Sequence, residues 1–138
     1  MGMQRTIVDP QTWLEVIVPD FATDEEALDC SRRREAGGVP AVKMEPDYGC
    51  ILPLWPESSG AVEDIARRLP EDVVRDLMLW QERFEAGYVF PTAWRPDVHR
   101  SEWLEQGERL FTVVEKALWS DFDVIPSFRR TTRESDRL

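Results

Sequence analysis

A chain of 138 residues is long enough for one domain with a core of its own, and 42% hydrophobic and 32% charged residues are typical of a globular protein. The formal charge of −10 argues against non-specific binding to nucleic acid, which needs several cations, and favours a basic partner or plain solubility. No apolar stretch approaches the roughly 18 residues of a membrane span, and no signal peptide is evident, so we expect a cytoplasmic protein with free thiols.

The first part of the chain predicts two strands and a helix. Residues 6–8 and 12–18 are rich in β-branched side chains, which favour strands. Thr23 is followed three positions later by Glu26, which is the spacing of a capping box at a helix start. We expect this helix to end before Gly37, the first residue of a glycine pair.

The middle of the chain predicts a hairpin. Residues 39–45 have a strand composition, and a turn at Pro46-Asp47 leads into residues 47–55, the densest apolar run of the sequence. This run is too short and too rich in proline for a helix, so we interpret it as a buried strand.

Two long helices dominate the second half. Residues 61–69 are only weakly helical, whereas residues 70–86 carry an apolar stripe, whose members are Val73, Leu77, Trp80 and Phe84. A second stripe follows a cap at Asp97 or Ser101 and consists of Trp103, Leu104, Gly107, Leu110, Phe111, Val114 and Leu118. Residues 88–96 predict a connecting loop, and residues 121–128 a last strand, which Pro126 places at a sheet edge.

Together these elements predict an α+β fold. We expect a small, mostly antiparallel sheet, made by the N-terminal strands and the central run, with the two long helices covering it and the last strand returning to it. Residues 1–128 would form a single domain, and the polar residues 129–138 a disordered tail.

Cofactor, metal and nucleophile chemistry has little support in the sequence. His99 is the only histidine, and Cys30 and Cys50 are too far apart for the usual metal-ligand spacings. No glycine motif for phosphate is present. Cys50 lies within the apolar run, where burial makes a thiol inert, so we expect no cofactor, no metal and no catalytic residue.

The six tryptophans supply the main candidate site. Trp94 lies in the predicted loop, and with Tyr88, Phe90 and Trp55 it predicts an exposed aromatic patch inside an acidic rim. Aromatic side chains and arginine in such a setting are typical of protein–protein hot spots. This pattern favours a non-catalytic protein that binds another protein, a toxin or an enzyme that it inhibits.

Two alternatives remain open at this stage. Asp47 and Tyr48 beside Gly49, together with His99, predict a pocket of a small enzyme or ligand-binding domain. A homodimer that buries the aromatic loop against a second copy is the other alternative.

One resemblance supports the binding hypothesis. The chain resembles small acidic bacterial proteins of unassigned function that are grouped loosely with immunity-type proteins, over roughly residues 46–125. The residues that carry the likeness are Asp47, Tyr48, Gly49, Cys50, Pro53, Leu54, Trp55, Gly60, Leu77, Trp80, Gly107 and Leu110. The resemblance implies a small α+β domain that acts by binding, and it brings no catalytic residues.

Overall fold

The computed structural model describes residues 4–58, 60–89, 93–95, 100–119 and 121–129. The chain divides into two compact units, Met1–Pro40 and Ala41–Leu138. Helices and short strands occur in both, which confirms the predicted α+β class. The prediction that residues 1–128 form a single domain stays a prediction.

The first unit is a strand pair followed by a helix. Strands β1 (Arg5–Val8) and β2 (Glu15–Val18) pair antiparallel, and helix α1 spans Asp24–Glu35. The predicted capping box is present, since the Glu26 N–H donates to Thr23 Oγ1 and the Thr23 N–H donates to Glu26 Oε1, both at 3.1 Å. The buried side chains of this unit's core are Val16, Val18 and Ala27.

An ion pair ties the turn between β1 and β2 to α1. The carboxylate of Asp9 is buried and accepts hydrogen bonds from Arg32 Nε and Nη2, both at 3.0 Å, and from the Gln11 N–H at 2.8 Å. The Arg32 hydrogen bonds and the Gln11 N–H stabilise the charged form, so they lower the pKa of Asp9 to about 2.

The strand predicted over residues 12–18 is shorter than expected. It begins only at Glu15, because the preceding residues close the turn through a 2.9 Å bond from the Asp9 N–H to the Leu14 carbonyl. Trp13 adopts a left-handed φ of 63° in this turn and is 79% exposed. The turn hydrogen bonds therefore override the strand propensity of the local side chains.

The second unit contains the remaining elements. In chain order they are β3 (Ala41–Met44), β4 (Leu54–Pro56), α2 (Ala61–Arg68), α3 (Glu71–Gly87), β5 (Tyr88–Val89), β6 (Ala93–Trp94), α4 (Arg100–Leu118) and β7 (Asp123–Ile125). Strand β3 lies at the centre of a three-stranded sheet, antiparallel to β4 and parallel to β7. The last strand therefore returns to the sheet at its edge, as predicted.

Two features of the predicted sheet are wrong. The N-terminal strands do not join the central run in one sheet, because β1 and β2 form a sheet of their own. Most of the central run is a loop: only Leu54–Pro56 is a strand, and Ile51 is 73% exposed. Residues of this loop form hydrogen bonds with side chains of α3. The loop therefore does not pair in the sheet, despite its apolar composition.

Three local predictions also need correction. The weakly helical stretch after Gly60 is a full helix, α2, because its residue Ile65 is buried in the core. The expected connecting loop contains a minimal hairpin of β5 and β6. Ser101 lies inside α4 and is no cap, and Asp97 lies outside the described residues.

The core of the second unit lies between the sheet and the two long helices, both of which the sequence predicted. Trp80 of α3 and Trp103 of α4 stack with ring centroids 4.6 Å apart. Each indole N–H donates to the other's backbone carbonyl, at 2.9 and 3.2 Å. Gly107 allows this approach, since a Cβ there would lie 2.8 Å from Trp80 Cζ2.

The polar tail is only partly described. Arg129 forms two hydrogen bonds with the Glu108 carboxylate, at 2.7 and 2.8 Å, and its guanidinium lies over the Phe111 ring. Residues 130–138 of the predicted tail lie outside the described residues. None of the helices that the structure describes has the length and apolar character required to cross a bilayer.

Candidate functional site

The three-stranded sheet has one buried and one exposed face, because successive side chains of a strand point to opposite sides. In β3, Val42 and Met44 enter the core and Lys43 is exposed. Lys43 is paired with Trp55 on β4 and with Ile125 on β7. Directly opposed residues on neighbouring strands lie side by side, so Trp55, Lys43 and Ile125 form one continuous exposed row.

A second row on the same face is acidic. Ala41 of β3 is paired with Asp123 of β7. On the β4 side, the Glu57 N–H donates to the Ala41 carbonyl at 3.2 Å, which extends the pairing of β3 and β4 to Glu57. At the opposite end of β3, the Glu45 N–H bonds the Pro53 carbonyl at 3.0 Å. We call the exposed side of the sheet the outer face, and its residues are Ala41, Lys43, Glu45, Trp55, Glu57, Asp123 and Ile125.

Trp55 is held in place on the outer face. Its indole N–H donates to the backbone carbonyl of Glu45 at 2.8 Å, so the ring is anchored while 44% of the residue stays exposed. A large aromatic ring in a fixed orientation loses little conformational entropy when a partner covers it. Lys43 beside it has no acidic partner in the part of the chain that the structure describes. The outer face therefore offers an aromatic anchor, an unpaired cation and three carboxylates.

The predicted patch around Trp94 is arranged differently from the expectation. Tyr88 is only 8% exposed and stacks on Phe84 with ring centroids 4.9 Å apart, so it belongs to the core and not to the surface. Trp94 is half-buried, with its ring 5.0 Å from that of Trp103 and 5.7 Å from that of Tyr88. Apolar burial against α3 and α4 outweighs the loop-like composition here. Phe90 lies outside the described residues.

Asp47 and Tyr48 have hydrogen-bond partners within the chain. Asp47 Oδ1 accepts the Tyr48 N–H at 2.8 Å, and the Tyr48 hydroxyl donates to the Tyr88 carbonyl at 2.8 Å. Buried Gln81 holds the same loop, since its Nε2 donates to the Asp47 carbonyl and its Oε1 accepts the Cys50 thiol. This arrangement is typical of a turn fastened to a helix. His99, the third residue of the predicted pocket, lies outside the described residues.

The thiol of Cys50 is a weak acid in this loop. Burial is the main reason that its pKa is raised, and the nearby charges of Asp47 and Glu85 raise it further. A raised thiol pKa leaves little thiolate at neutral pH. Cys50 is half-buried, not fully buried as the sequence predicted, and its thiol helps to hold the loop through its bond to Gln81 Oε1.

Sequence reasoning found Trp55 and missed the other members of the outer face. The strand alternation around Lys43 and Ile125 is visible in the sequence. Their adjacency depends on the pairing register of three strands, two of which are about eighty residues apart along the chain. No local sequence pattern predicts the pairing register of strands so far apart.

Comparisons with curated proteins and with solved structures gave no match. A family model described as Serratia CdiI immunity protein-like matches residues 40–127, which is more than half of the chain. The match contains the whole three-stranded sheet with its outer face, and also α2, α3 and α4. The chain therefore belongs to the Serratia CdiI immunity protein-like family.

Proposed function

We propose that this protein is a non-catalytic immunity-type protein that binds a protein toxin and inhibits it, and that the outer face makes the contact. An immunity protein acts by binding, so the proposal needs a surface suited to a partner and no reactive centre. The row of Trp55, Lys43 and Ile125 is the observation that supports it best, because it joins a fixed aromatic ring to an aliphatic side chain on an exposed sheet face.

The chemistry of the face suggests the chemistry of the partner. Central aromatic and aliphatic anchors surrounded by polar residues are typical of interface hot spots. Glu45, Glu57 and Asp123 outnumber Lys43 on the face, and the whole chain carries a charge of −10. A toxin with a basic rim around an apolar contact area would complement it, and its association would be accelerated by long-range attraction. We place this encounter in the cytoplasm.

The test begins with capture of the partner. The full-length chain, tagged and produced in its native host, is expected to retain one stoichiometric protein, which mass spectrometry identifies. That protein, when expressed alone, should arrest growth, and co-expression of the full chain should relieve the arrest. If the attraction is electrostatic, the affinity of the purified pair falls as salt is added. A chain that captures no toxic protein would contradict the proposal.

Variants then locate the surface. Trp55→Ala and Ile125→Ala should each weaken the affinity for the captured toxin, and the loss for Trp55 should reach about thirtyfold, as expected of a central hot spot. Leu79→Ala is a matched control, because Leu79 is an equally exposed apolar residue on α3. Thermal unfolding confirms that each variant is folded. If both outer-face variants inhibit the toxin as well as the wild type, the outer face is not the contact.

A further inference from the structure

The indole N–H of Trp94 has no hydrogen-bond acceptor among the described residues. Its Nε1 atom is shielded from solvent, yet no acceptor lies within reach in the part of the chain that the structure describes. Other indoles of the second unit differ: those of Trp80 and Trp103 donate to each other's backbone carbonyls, and that of Trp55 donates to the Glu45 carbonyl. Buried donors are nearly always satisfied in folded proteins, so this exception requires an explanation.

The packing of the free protein does not need this N–H. The ring of Trp94 contacts the rings of Phe84, Tyr88 and Trp103 through its apolar faces and edges. A phenylalanine ring would make most of these contacts without burying an unsatisfied donor, which by itself disfavours the folded state. An unsatisfied N–H that lowers stability and does not help to hold the fold is expected where a binding partner supplies the missing acceptor.

We infer that Trp94 Nε1 donates a hydrogen bond to an acceptor oxygen of the bound toxin, an inference that rests on the proposed function. Trp94 of β6 is half-buried, so part of the residue reaches the surface although its Nε1 atom is shielded. No described residue accepts a hydrogen bond from Nε1, so turning the indole outward breaks ring contacts but no such bond. The indole N–H of Trp55 on the outer face is already engaged with the Glu45 carbonyl, so Trp94 offers the toxin a donor that Trp55 does not.

The decisive variant is Trp94→Phe, compared with the wild type for stability and for affinity toward the captured toxin. We expect its melting temperature to stay close to that of the wild type, because the removal of an unsatisfied donor offsets the packing lost with the smaller ring. Its affinity should fall roughly tenfold, because the toxin's acceptor is left unpaired. Trp80→Phe is the matched control, because the described ring contacts of Trp80 are with Trp103 and Phe128 and its indole N–H donates to the Trp103 carbonyl. It removes an N–H that is satisfied within the fold, so it should lower the melting temperature and leave the affinity of the folded fraction unchanged.

A direct readout accompanies the variants. In nitrogen-15 spectra of the full chain, the Trp94 indole N–H signal should move downfield when the toxin is added, while that of Trp80 should stay in place. Unchanged affinity of Trp94→Phe overturns the inference and leaves the proposed function intact. A wild-type chain that neither binds nor neutralises a toxin overturns both.

Discussion

Gly107 lies in α4 where the helix faces Trp80 and Phe128, and Gly107→Ala tests how tightly the aromatic core is packed. A Cβ at this position would lie 2.8 Å from Trp80 Cζ2 and 3.0 Å from Phe128 Cε2. Neither ring is free to move away, because both are fully buried and Trp80 is held by its stack and its hydrogen bond.

Two opposing effects determine the outcome of this substitution. In a helix interior, alanine is more stabilising than glycine by about 1 kcal/mol of free energy. Overpacking a rigid core costs about 1–3 kcal/mol, and contacts this short between immobile rings place Gly107→Ala near the upper value. We therefore expect a net loss of roughly 2 kcal/mol and a melting temperature lower by about 5–10 °C.

Urea unfolding, followed by tryptophan fluorescence, measures the change. Gly60→Ala is the control, because a Cβ at Gly60 meets nothing within 4 Å and the backbone φ of −74° suits alanine. Its effect should stay within about 0.5 kcal/mol. A Gly107→Ala protein as stable as the wild type, or more stable, would refute the reasoning, since helix propensity would then outweigh the packing of Trp80 against α4.

Two predictions concern titrating groups. The pKa of Asp9 is about 2 in the folded chain and about 3.8 when unpaired, so the unfolded state takes up the proton first and the stabilisation by Arg32 is lost as pH falls from about 4 to about 2. The difference in melting temperature between the wild type and Asp9→Asn should narrow over that range, and a constant difference would contradict the ion pair. For Cys50, the raised pKa predicts that labelling of the folded protein by a disulfide reagent accelerates with pH and has its midpoint above the ordinary value for a cysteine thiol. A midpoint below that value would show that burial does not control the thiol.

Local signals in the sequence were sufficient for the helices. The capping box at Thr23 and the apolar stripe of α3 depend on residues only three or four positions apart, and both were predicted with nearly the observed boundaries. The α+β class followed from the same signals, and the likeness to immunity-type proteins agrees with the family match. These features are determined by neighbouring residues, so one sequence is enough to find them.

The structure of the central loop and the candidate surfaces could not be predicted from neighbouring residues. Residues 47–50 look like a strand by composition, but Gln81 and Glu85 of α3 take their hydrogen bonds. Composition likewise suggested an exposed Tyr88, which packs on Phe84 instead. In both cases a partner far along the chain competes successfully with the local preference.

By itself, the sequence determined the bounds of α1 and α3 to within a few residues, the acidic charge, and the class of the fold. Only the tertiary structure decided which face of the sheet remains open and which aromatic rings are covered. The outer face exists because β7, from the end of the chain, pairs with β3 in the register that aligns Ile125 with Lys43. Strand register and ring burial depend on contacts between distant segments of the chain. The free energies of these contacts cannot be predicted from any short stretch of residues.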